Sequence, residues 1–503
     1  MTFQRKLAAV RSGQASSDDL SDLARLALQE GEEEQALPFL RKAAAVASDA
    51  RLWQWNGLLE RALDEHGDAL RSFLQAARFA PSDVSIAHGH ARVALEAGID
   101  AVALFDNARR LAPSNGEVLL GQAAARLAVG RGEEAAADID AILIAEPRWV
   151  QGHHQLAQLR SMLGRSEDAT LSLDRALTAL PGNADLWQAR CDLDLRREEY
   201  GALQDSIERA KARGCKEAFL AEYETIAASE GGDIDRADSL FSVIPNSSLP
   251  TLALWYIRHL LRTGRIDDAI THIDAELQTD RAAAVWPYAA AAWRLAGDPR
   301  STWLEGDPRF VTVLDLKKDL PKLNALATVL RALHVAKGEY LDQSVRGGTQ
   351  TDGPLLSRID PEIRAVRKAI VKAVEHYCGQ LPEQVDAHPL LAGRRDRRIR
   401  FAGSWSVRLR GAGHHTNHVH PQGWISSALY VSLPPHTRND APDAGWLTLG
   451  EPQAALGLSL PPTRMIEPRE GQLVLFPSWM WHGTRPYSEG ERLTIAFDVA
   501  SAR

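Results

Sequence analysis

Four histidines lie within seven residues late in the chain, in the segment HHTNHVH at positions 414–420. His418 and His420 are two residues apart, so in an extended segment their side chains point to the same face. Iron, manganese, copper or nickel could each use two such imidazoles, with His482 as the candidate for a third ligand. Three protein ligands leave coordination positions open, which favours catalysis over a structural role.

A candidate anion site follows ten residues after His482. Arg492 and Thr494 lie in the strand-like segment RLTIAF. An arginine that faces the interior of a β-sandwich is unfavourable unless it is paired, so it predicts a bound anion. A guanidinium beside a hydroxyl group suits a carboxylate.

The elements that must position these residues are short strands. Beyond His388 the chain contains β-rich segments separated by Gly, Pro and Asn, which predict a β-sandwich or double-sheet jelly roll. Two helices, at about 320–337 and 361–380, precede this region and are expected to pack on it. The strand segments are IRFAGSWSVRLR, SSALYVSLP, GWLTLG, QLVLFP and RLTIAFDVA.

The first part of the chain has a different periodicity. Pro81, Pro113, Pro147 and Pro181 are separated by 32, 34 and 34 residues, a period typical of helix-turn-helix repeats. Between them, alanines at helix crossings alternate with large residues that fill the space towards the next repeat. Examples are Ala69, Phe73 and Ala76, and one hundred residues later Ala169, Leu173 and Ala176.

This pattern resembles the tetratricopeptide repeat. It predicts an α-solenoid of seven to nine helix pairs over residues 1–297 and a second domain over 298–503, the alternative being a generic helical bundle with accidental spacing. A solenoid presents a concave groove that commonly binds peptides or proteins, so a protein or peptide partner is expected.

Composition excludes other classes of protein. The 503 residues are 45% hydrophobic and 25% charged, with a formal net charge of -8 and no basic tail, which argues against nucleic-acid binding. No apolar segment is long enough for a signal peptide or a membrane span, so a cytoplasmic protein is expected. The three cysteines are too widely spaced for a redox or zinc motif.

The blocks HVHPQGWISSALYV, GQLVLFPSWMWHGTRPY and RLTIAF occur in this order. Together they resemble the 2-oxoglutarate- and Fe(II)-dependent oxygenases, in particular a bacterial group often fused behind tetratricopeptide repeats. The resemblance covers about residues 300–503. It implies a jelly-roll fold, Fe(II) and 2-oxoglutarate as cofactors, and hydroxylation as the usual outcome.

The resemblance also implies roles for individual residues. His418 and His482 correspond to the first and last iron ligands, and Arg492 with Thr494 would hold the distal carboxylate of 2-oxoglutarate. Tyr430 is a further candidate contact to this cosubstrate. Asn417 and Trp405 are expected in the same region.

The sequence departs from the wider superfamily at His420, where a carboxylate is usual. His420 can be the third ligand, or it can contact the substrate or another ligand while water or Glu451 completes the metal shell. A third possibility is weak metal binding. His414 and His415 are expected to face solvent or to support the ligands.

The segment QSVRGGTQT at 343–351 resembles a stretch that the same bacterial group carries ahead of its core. It offers Gln343 and Arg346 as candidate substrate contacts, on a lip beside the site. The alternative is a capped polar loop that only supports the sandwich.

The sequence therefore predicts an Fe(II)- and 2-oxoglutarate-dependent oxygenase that hydroxylates a protein or peptide recruited by the repeats. Two alternatives remain open. One is a cupin-like three-histidine dioxygenase without 2-oxoglutarate, which would not need Arg492 and Thr494. The other is a repeat scaffold with a catalytically silent second domain.

Overall fold

The computed structural model describes residues 2–13, 15–243, 250–341 and 343–501. Helices fill the first part of the chain. They are α1 (Phe3–Arg11), α2 (Ser17–Glu30), α3 (Glu33–Val46), α4 (Ala50–Ala62), α5 (His66–Phe79), α6 (Val84–Glu96), α7 (Val102–Leu111), α8 (Gly116–Ala128), α9 (Gly132–Ala145), α10 (Val150–Met162), α11 (Leu171–Ala179), α12 (Ala184–Arg196), α13 (Tyr200–Ala212), α14 (Phe219–Gly231), α15 (Ile234–Val243), α16 (Pro250–Arg262), α17 (Ile266–Glu276), α18 (Ala282–Ala296) and α19 (Arg300–Glu305).

In the described parts of the chain, α2 to α17 form eight consecutive antiparallel helix pairs, which confirms the predicted tetratricopeptide-like array. Close packing explains the repeat pattern. Phe73 is fully buried, and a Cβ atom at Gly57 or Gly89 would lie 2.7 or 2.4 Å from its ring. Glycine on the two neighbouring helices therefore makes room for the large residue, while Ala69 and Ala76 are fully buried at the crossing.

The second part combines two more helices with nine strands. These are β1 (Thr312–Asp315), α20 (Leu323–Leu333), β2 (Val345–Gln350), α21 (Pro361–Gln380), β3 (Phe401–His415), β4 (Ile425–Ser432), β5 (Leu447–Leu449), β6 (Arg464–Ile466), β7 (Gln472–Pro477), β8 (His482–Thr484) and β9 (Glu491–Val499). One antiparallel sheet has the order β1-β7-β4-β9-β3-β2 and the other β6-β5-β8. These two sheets are compatible with the predicted jelly roll.

The polar segment after Asp342, which itself lies outside the described residues, does not form the capped loop that was the alternative to a substrate lip. Its residues form the edge strand β2, paired with β3. Gly347 has a φ of 71°, and the register shifts between Arg346 and Gly348. A Cβ atom at Gly348 would lie 2.6 Å from the carbonyl oxygen of Arg408, so glycine permits the close pairing.

A single hydrophobic core joins the end of the helical array to the sandwich. Ile257, Tyr288 and Trp293 of α16 and α18 share this core with Leu429 and Phe497 of the sandwich. The boundary at residues 297 and 298 stays a prediction, because no break in the core marks it. Among the residues described, no helix combines the length and apolarity needed to cross a membrane.

Candidate metal centre

Backbone pairing brings two of the predicted histidine ligands together. His418 follows β3, and His482 begins β8. The amide of each donates to the carbonyl oxygen of the other, at 2.9 and 3.0 Å. Their ring centroids are 4.1 Å apart, and the ring of His420 lies 5.0 Å from each. One nitrogen from each of the three rings lies within 4.8 Å of the others, a spacing that could hold a metal ion.

Each of the three rings is oriented by a hydrogen bond at its Nδ1 atom. The Nδ1 atom of His418 lies 2.8 Å from the carbonyl oxygen of Thr416, and that of His482 lies 3.0 Å from the carbonyl oxygen of Met480. A carbonyl oxygen only accepts, so Nδ1 carries the proton in both rings. Each Nε2 atom therefore keeps its lone pair, in the neutral tautomer that metal binding requires. The Ser344 hydroxyl lies 3.2 Å from the Nε2 atom of His418 and must turn away for that nitrogen to bind a metal.

Asp498, which the sequence analysis did not select, orients the third ring. Its Oδ1 atom accepts from Nδ1 of His420 at 2.8 Å and from the hydroxyl of Ser426 at 2.6 Å. The Asp498 side chain is only 11% exposed. Strand periodicity could have identified it, because Arg492, Thr494 and Asp498 are separated by even numbers of residues and lie on one face of β9.

Burial keeps the imidazoles of this region neutral. It lowers the pKa of His418 and His482 well below the usual 6.5, and neighbouring imidazoles lower both values further. Burial, together with the charge of Arg492, lowers the pKa of His415 to about 3. At neutral pH these rings can accept a cation without first losing a proton.

A cavity of about 50 Å³ connects the three histidines to Arg492 and Thr494. Arg492 is 3% exposed and donates from Nη1 to the carbonyl oxygen of Gly445 at 2.7 Å. Its buried Nε atom has no acceptor, and no carboxylate lies within ion-pairing distance among the residues that the structure describes. A buried guanidinium without a counter-ion fits an anionic ligand such as a carboxylate.

The aromatic ring of Tyr430 packs against the guanidinium of Arg492. The guanidinium carbon of Arg492 lies 4.9 Å from the centre of the Tyr430 ring, in a cation–π contact. Tyr430 is fully buried, and burial raises the pKa of its hydroxyl, which Arg492 partly opposes. Its side chain does not line the cavity, so a direct contact with 2-oxoglutarate stays a prediction.

The predicted substrate residues lie on the outer side of the centre. Gln343 lines both the inner cavity and a larger outer cleft. Asn417 is fixed by the carbonyl oxygen of Pro452 at 3.2 Å and by the Thr448 hydroxyl at 3.3 Å, and it lines the cleft. Arg346 also lines the cleft, with its guanidinium donating to the carbonyl oxygen of Val345 at 3.0 Å.

The other residues predicted in this region lie near the three histidines but do not belong to the metal-spaced group. His415 stacks on His418 with 5.9 Å between ring centroids, and Trp405 lies 5.5 Å from His420. The imidazole of His414 donates to the backbone carbonyl oxygen of Ala412 at 3.3 Å. Glu451 pairs with Arg485 at 3.2 Å, which directs this carboxylate away from a ligand role.

Comparison with known families agrees with this arrangement. Residues 403–498 match the family model described as "Putative 2OG-Fe(II) oxygenase". The match covers less than half of the chain but includes all three histidines, Arg492 and Asp498. Together with the three-histidine group, it supports an oxygenase. The search of curated proteins gave no match.

Solved structures of tetratricopeptide repeat proteins resemble the helical region. One from Parabacteroides merdae is 19% identical, with 46% of this chain and 94% of that chain covered and a TM-score of 0.28. YrrB, described as having an unusual peptide-binding site, is 18% identical, with 37% of this chain and 95% of YrrB covered and a TM-score of 0.29. A protein from Thermus thermophilus is 18% identical, with 34% of this chain and 95% of that chain covered and a TM-score of 0.26. The fold assignment rests on the helix pairs themselves.

Proposed function

We propose that the chain is an Fe(II)- and 2-oxoglutarate-dependent oxygenase that hydroxylates a protein or peptide substrate. The observation that supports it most directly is the position of Arg492, a buried cation with no counter-ion among the described residues, in the same small cavity as the three histidines. A dicarboxylate that binds a metal at one end needs an anion-binding group at the other.

His418, His420 and His482 would hold the iron through their Nε2 atoms, and Arg492 with the Thr494 hydroxyl would hold the distal carboxylate. Bound Fe(II) supplies the oxidative chemistry, in which 2-oxoglutarate, oxygen and a substrate C–H bond give succinate, carbon dioxide and a C–OH group. The chain itself orients the rings, compensates the charge and limits water in the cavity. Phe476 contributes to this last role, packing 4.8 Å from the His482 ring.

The experiment is iron-dependent formation of succinate from 2-oxoglutarate, with binding of 2-oxoglutarate measured separately. Arg492→Gln should weaken 2-oxoglutarate binding at least about 30-fold, since losing one partner of a buried charge pair costs about 2 kcal/mol or more. Arg410→Gln on β3 is a matched control, because Arg410 is exposed and outside the cavity. Equal binding by the Arg492→Gln variant and the wild type would contradict the proposed role.

A cupin-like dioxygenase remains the second candidate, since the three metal-spaced ligands are all histidines. It predicts metal binding with no iron-dependent succinate. A silent scaffold predicts no metal binding at all. His482→Ala should abolish iron binding and turnover under the proposed function.

A further inference from the structure

The turns within the helix pairs form one edge of the array, and several of them contact the second part of the chain. Arg400 donates to the carbonyl oxygen of Gly31 at 3.3 Å, and Arg367 to that of Asp64 at 3.1 Å. Further along, the amide of Ile359 donates to the carbonyl oxygen of Ala97 at 3.0 Å. The amides of Lys337 and Gly338 both donate to the carbonyl oxygen of Met162, at 2.7 and 2.9 Å.

The turn between α12 and α13 (residues 197–199), together with Arg196 at the end of α12, stands apart from this interface. Among the described residues it makes no hydrogen bond to the second part of the chain. Instead it forms one wall of a cleft of about 590 Å³, and the opposite wall contains Ser344, Asn417 and His418. Ser344 and His418 also line the inner cavity, so the cleft lies directly outside the three-histidine site.

The polarity of the cleft distinguishes it from a small-molecule site, which is mostly apolar. Apart from Leu341, its walls are mainly polar or charged, including Ser161, Ser166, Thr416 and Gln453. Such a lining suits an extended polypeptide, whose backbone and polar side chains need hydrogen-bond partners along their length.

The charges at the cleft favour a basic occupant. Arg196 is neutralised by Asp192 at 3.1 Å. Three carboxylates, from Glu198, Glu199 and Glu339, then face two guanidiniums, from Arg197 and Arg346. Glu198 and Glu199 are exposed and have no ion-pair partner among the residues described. The excess of carboxylates complements a lysine or arginine side chain.

Glu198 also occupies a backbone position where other pairs have glycine. It has a φ of 57°, whereas six of the eight turns place glycine at the equivalent left-handed position, among them Gly164 and Gly232. The other exception, Asp64, lies 3.5 Å from Arg367 of the second part. A left-handed conformation is unfavourable for a residue with a side chain, and Asp64 at that position has an ion-pair partner whereas Glu198 has none among the described residues.

We propose that this cleft is the substrate entrance, and that it takes an extended, basic peptide segment of another protein, with a lysine or arginine against Glu198 and Glu199. This proposal rests on the proposed oxygenase function for its chemistry. The substrate is then bound jointly by the repeat array and the sandwich, rather than by the concave groove alone.

The test measures binding by fluorescence anisotropy, with the full chain and labelled peptides of one length in basic, neutral and acidic sets. The basic set should bind at least ten-fold more tightly than the acidic set. Glu198→Gly combined with Glu199→Gln should remove this preference, and glycine at 198 preserves the turn because its equivalents already have it. Glu198→Lys with Glu199→Lys should reverse the preference.

Glu146→Lys with Glu217→Lys is the matched control, since both residues are exposed and lie outside the cleft. It should bind peptides as the wild type does. Equal binding of all three sets, tightest binding of the acidic set, or an unchanged preference after neutralisation would overturn the proposal. Succinate formation is assayed separately, so failure of the oxygenase function and failure of the cleft assignment give different results.

Discussion

At the scale of single residues, Asp498 places a carboxylate beside the histidine motif that lacks one. Under the proposed function, His420 in place of an acidic ligand would raise the charge of the metal centre by one unit. The Asp498 carboxylate, hydrogen-bonded to Nδ1 of that imidazole at 2.8 Å, would return a negative charge to its neighbourhood. It also fixes the tautomer, in the manner of the carboxylate–histidine–metal arrangements of other proteins.

Asp498→Asn and Asp498→Ala separate these two effects. Asparagine can still accept from Nδ1 through its carbonyl oxygen, so it removes the charge and retains the orientation, whereas alanine removes both. We expect iron affinity to fall about 10- to 100-fold in the alanine variant, as is typical for such partners. A smaller loss in the asparagine variant is expected in a metal titration. Unchanged affinity in both variants would exclude the role of Asp498.

The cost of a buried cation gives a second residue-scale prediction. Arg492 is buried without an anion, which is unfavourable for folding. Arg492→Gln should therefore raise the unfolding temperature of the protein measured without 2-oxoglutarate, although it weakens 2-oxoglutarate binding. Thermal unfolding with and without 2-oxoglutarate checks this. A large added stabilisation by 2-oxoglutarate should occur only in the wild type.

At the scale of elements, two strands present the site. On β9, residues with even numbers face the cavity and odd-numbered neighbours such as Ile495 and Phe497 enter the core, so one strand supplies both stability and chemistry. The edge strand β2 pairs with β3. His334, which directly follows α20, hydrogen-bonds to both strands. This ring lies 2.8 Å from the Thr349 hydroxyl and 3.2 Å from the Ser406 hydroxyl.

His334 should make this attachment sensitive to acid. Burial, with a smaller effect of Arg408, lowers its pKa from 6.5 to about 4. The unfolded chain thus binds more protons than the native state between these values, so stability is complete above pH 6.5 and falls as the pH drops towards 4. The loss is about 3 kcal/mol at most. In His334→Gln the free energy of unfolding should fall less steeply over this range, and an identical slope would contradict the assignment.

At the scale of the whole molecule, ion pairs join the first repeats to the sandwich domain. The basic segment 394–400 meets the acidic turns of the first repeats. Arg397 pairs with Glu32 at 2.9 Å, Arg398 with Glu65 at 2.8 Å, and Arg400 pairs with Glu33 at 2.7 Å. The Arg397–Glu32 pair is mostly buried, at 16% and 13% side-chain exposure, so it is less screened by salt than surface pairs are.

Reversing this pair tests the contact between the array and the sandwich. Arg397→Glu or Glu32→Arg alone should reduce stability by roughly 1 to 3 kcal/mol, because each places like charges together. The double variant should recover most of the loss. Urea unfolding of the four proteins gives the interaction energy, and additive losses would show that the pair does not stabilise the contact.

The shared core gives a prediction for the proposed boundary at residue 297. A fragment of residues 1–297 exposes the face of α18 that carries Tyr288 and Trp293, which are buried in the full chain. We expect the fragment to self-associate and to bind a hydrophobic dye more strongly than the full chain does. A monomeric fragment without added dye binding would place a folding boundary at this residue.

The sequence alone determined what depends on local period and residue type. The proline period and the alanines of the crossings predicted the helix pairs, and short β-rich segments between turn residues predicted the strands β3, β4, β5, β7 and β9. The same reasoning selected His418, His420 and His482, which the structure brings within metal-binding distance of one another. Each helix pair, each strand and the His418–His420 pair is encoded within one short segment, whereas His482 was added from its place after a predicted strand.

Only the tertiary structure decided how distant segments meet. Sequence could not show that Asp498 lies behind His420, since 78 residues separate them and the contact depends on the pairing of β4 with β9. Nor could it show β2 as a strand, because its glycines disfavour that structure unless a partner approaches closely. The cleft beside Glu198 arises from contact between two regions of the chain, and no periodicity within either region records it.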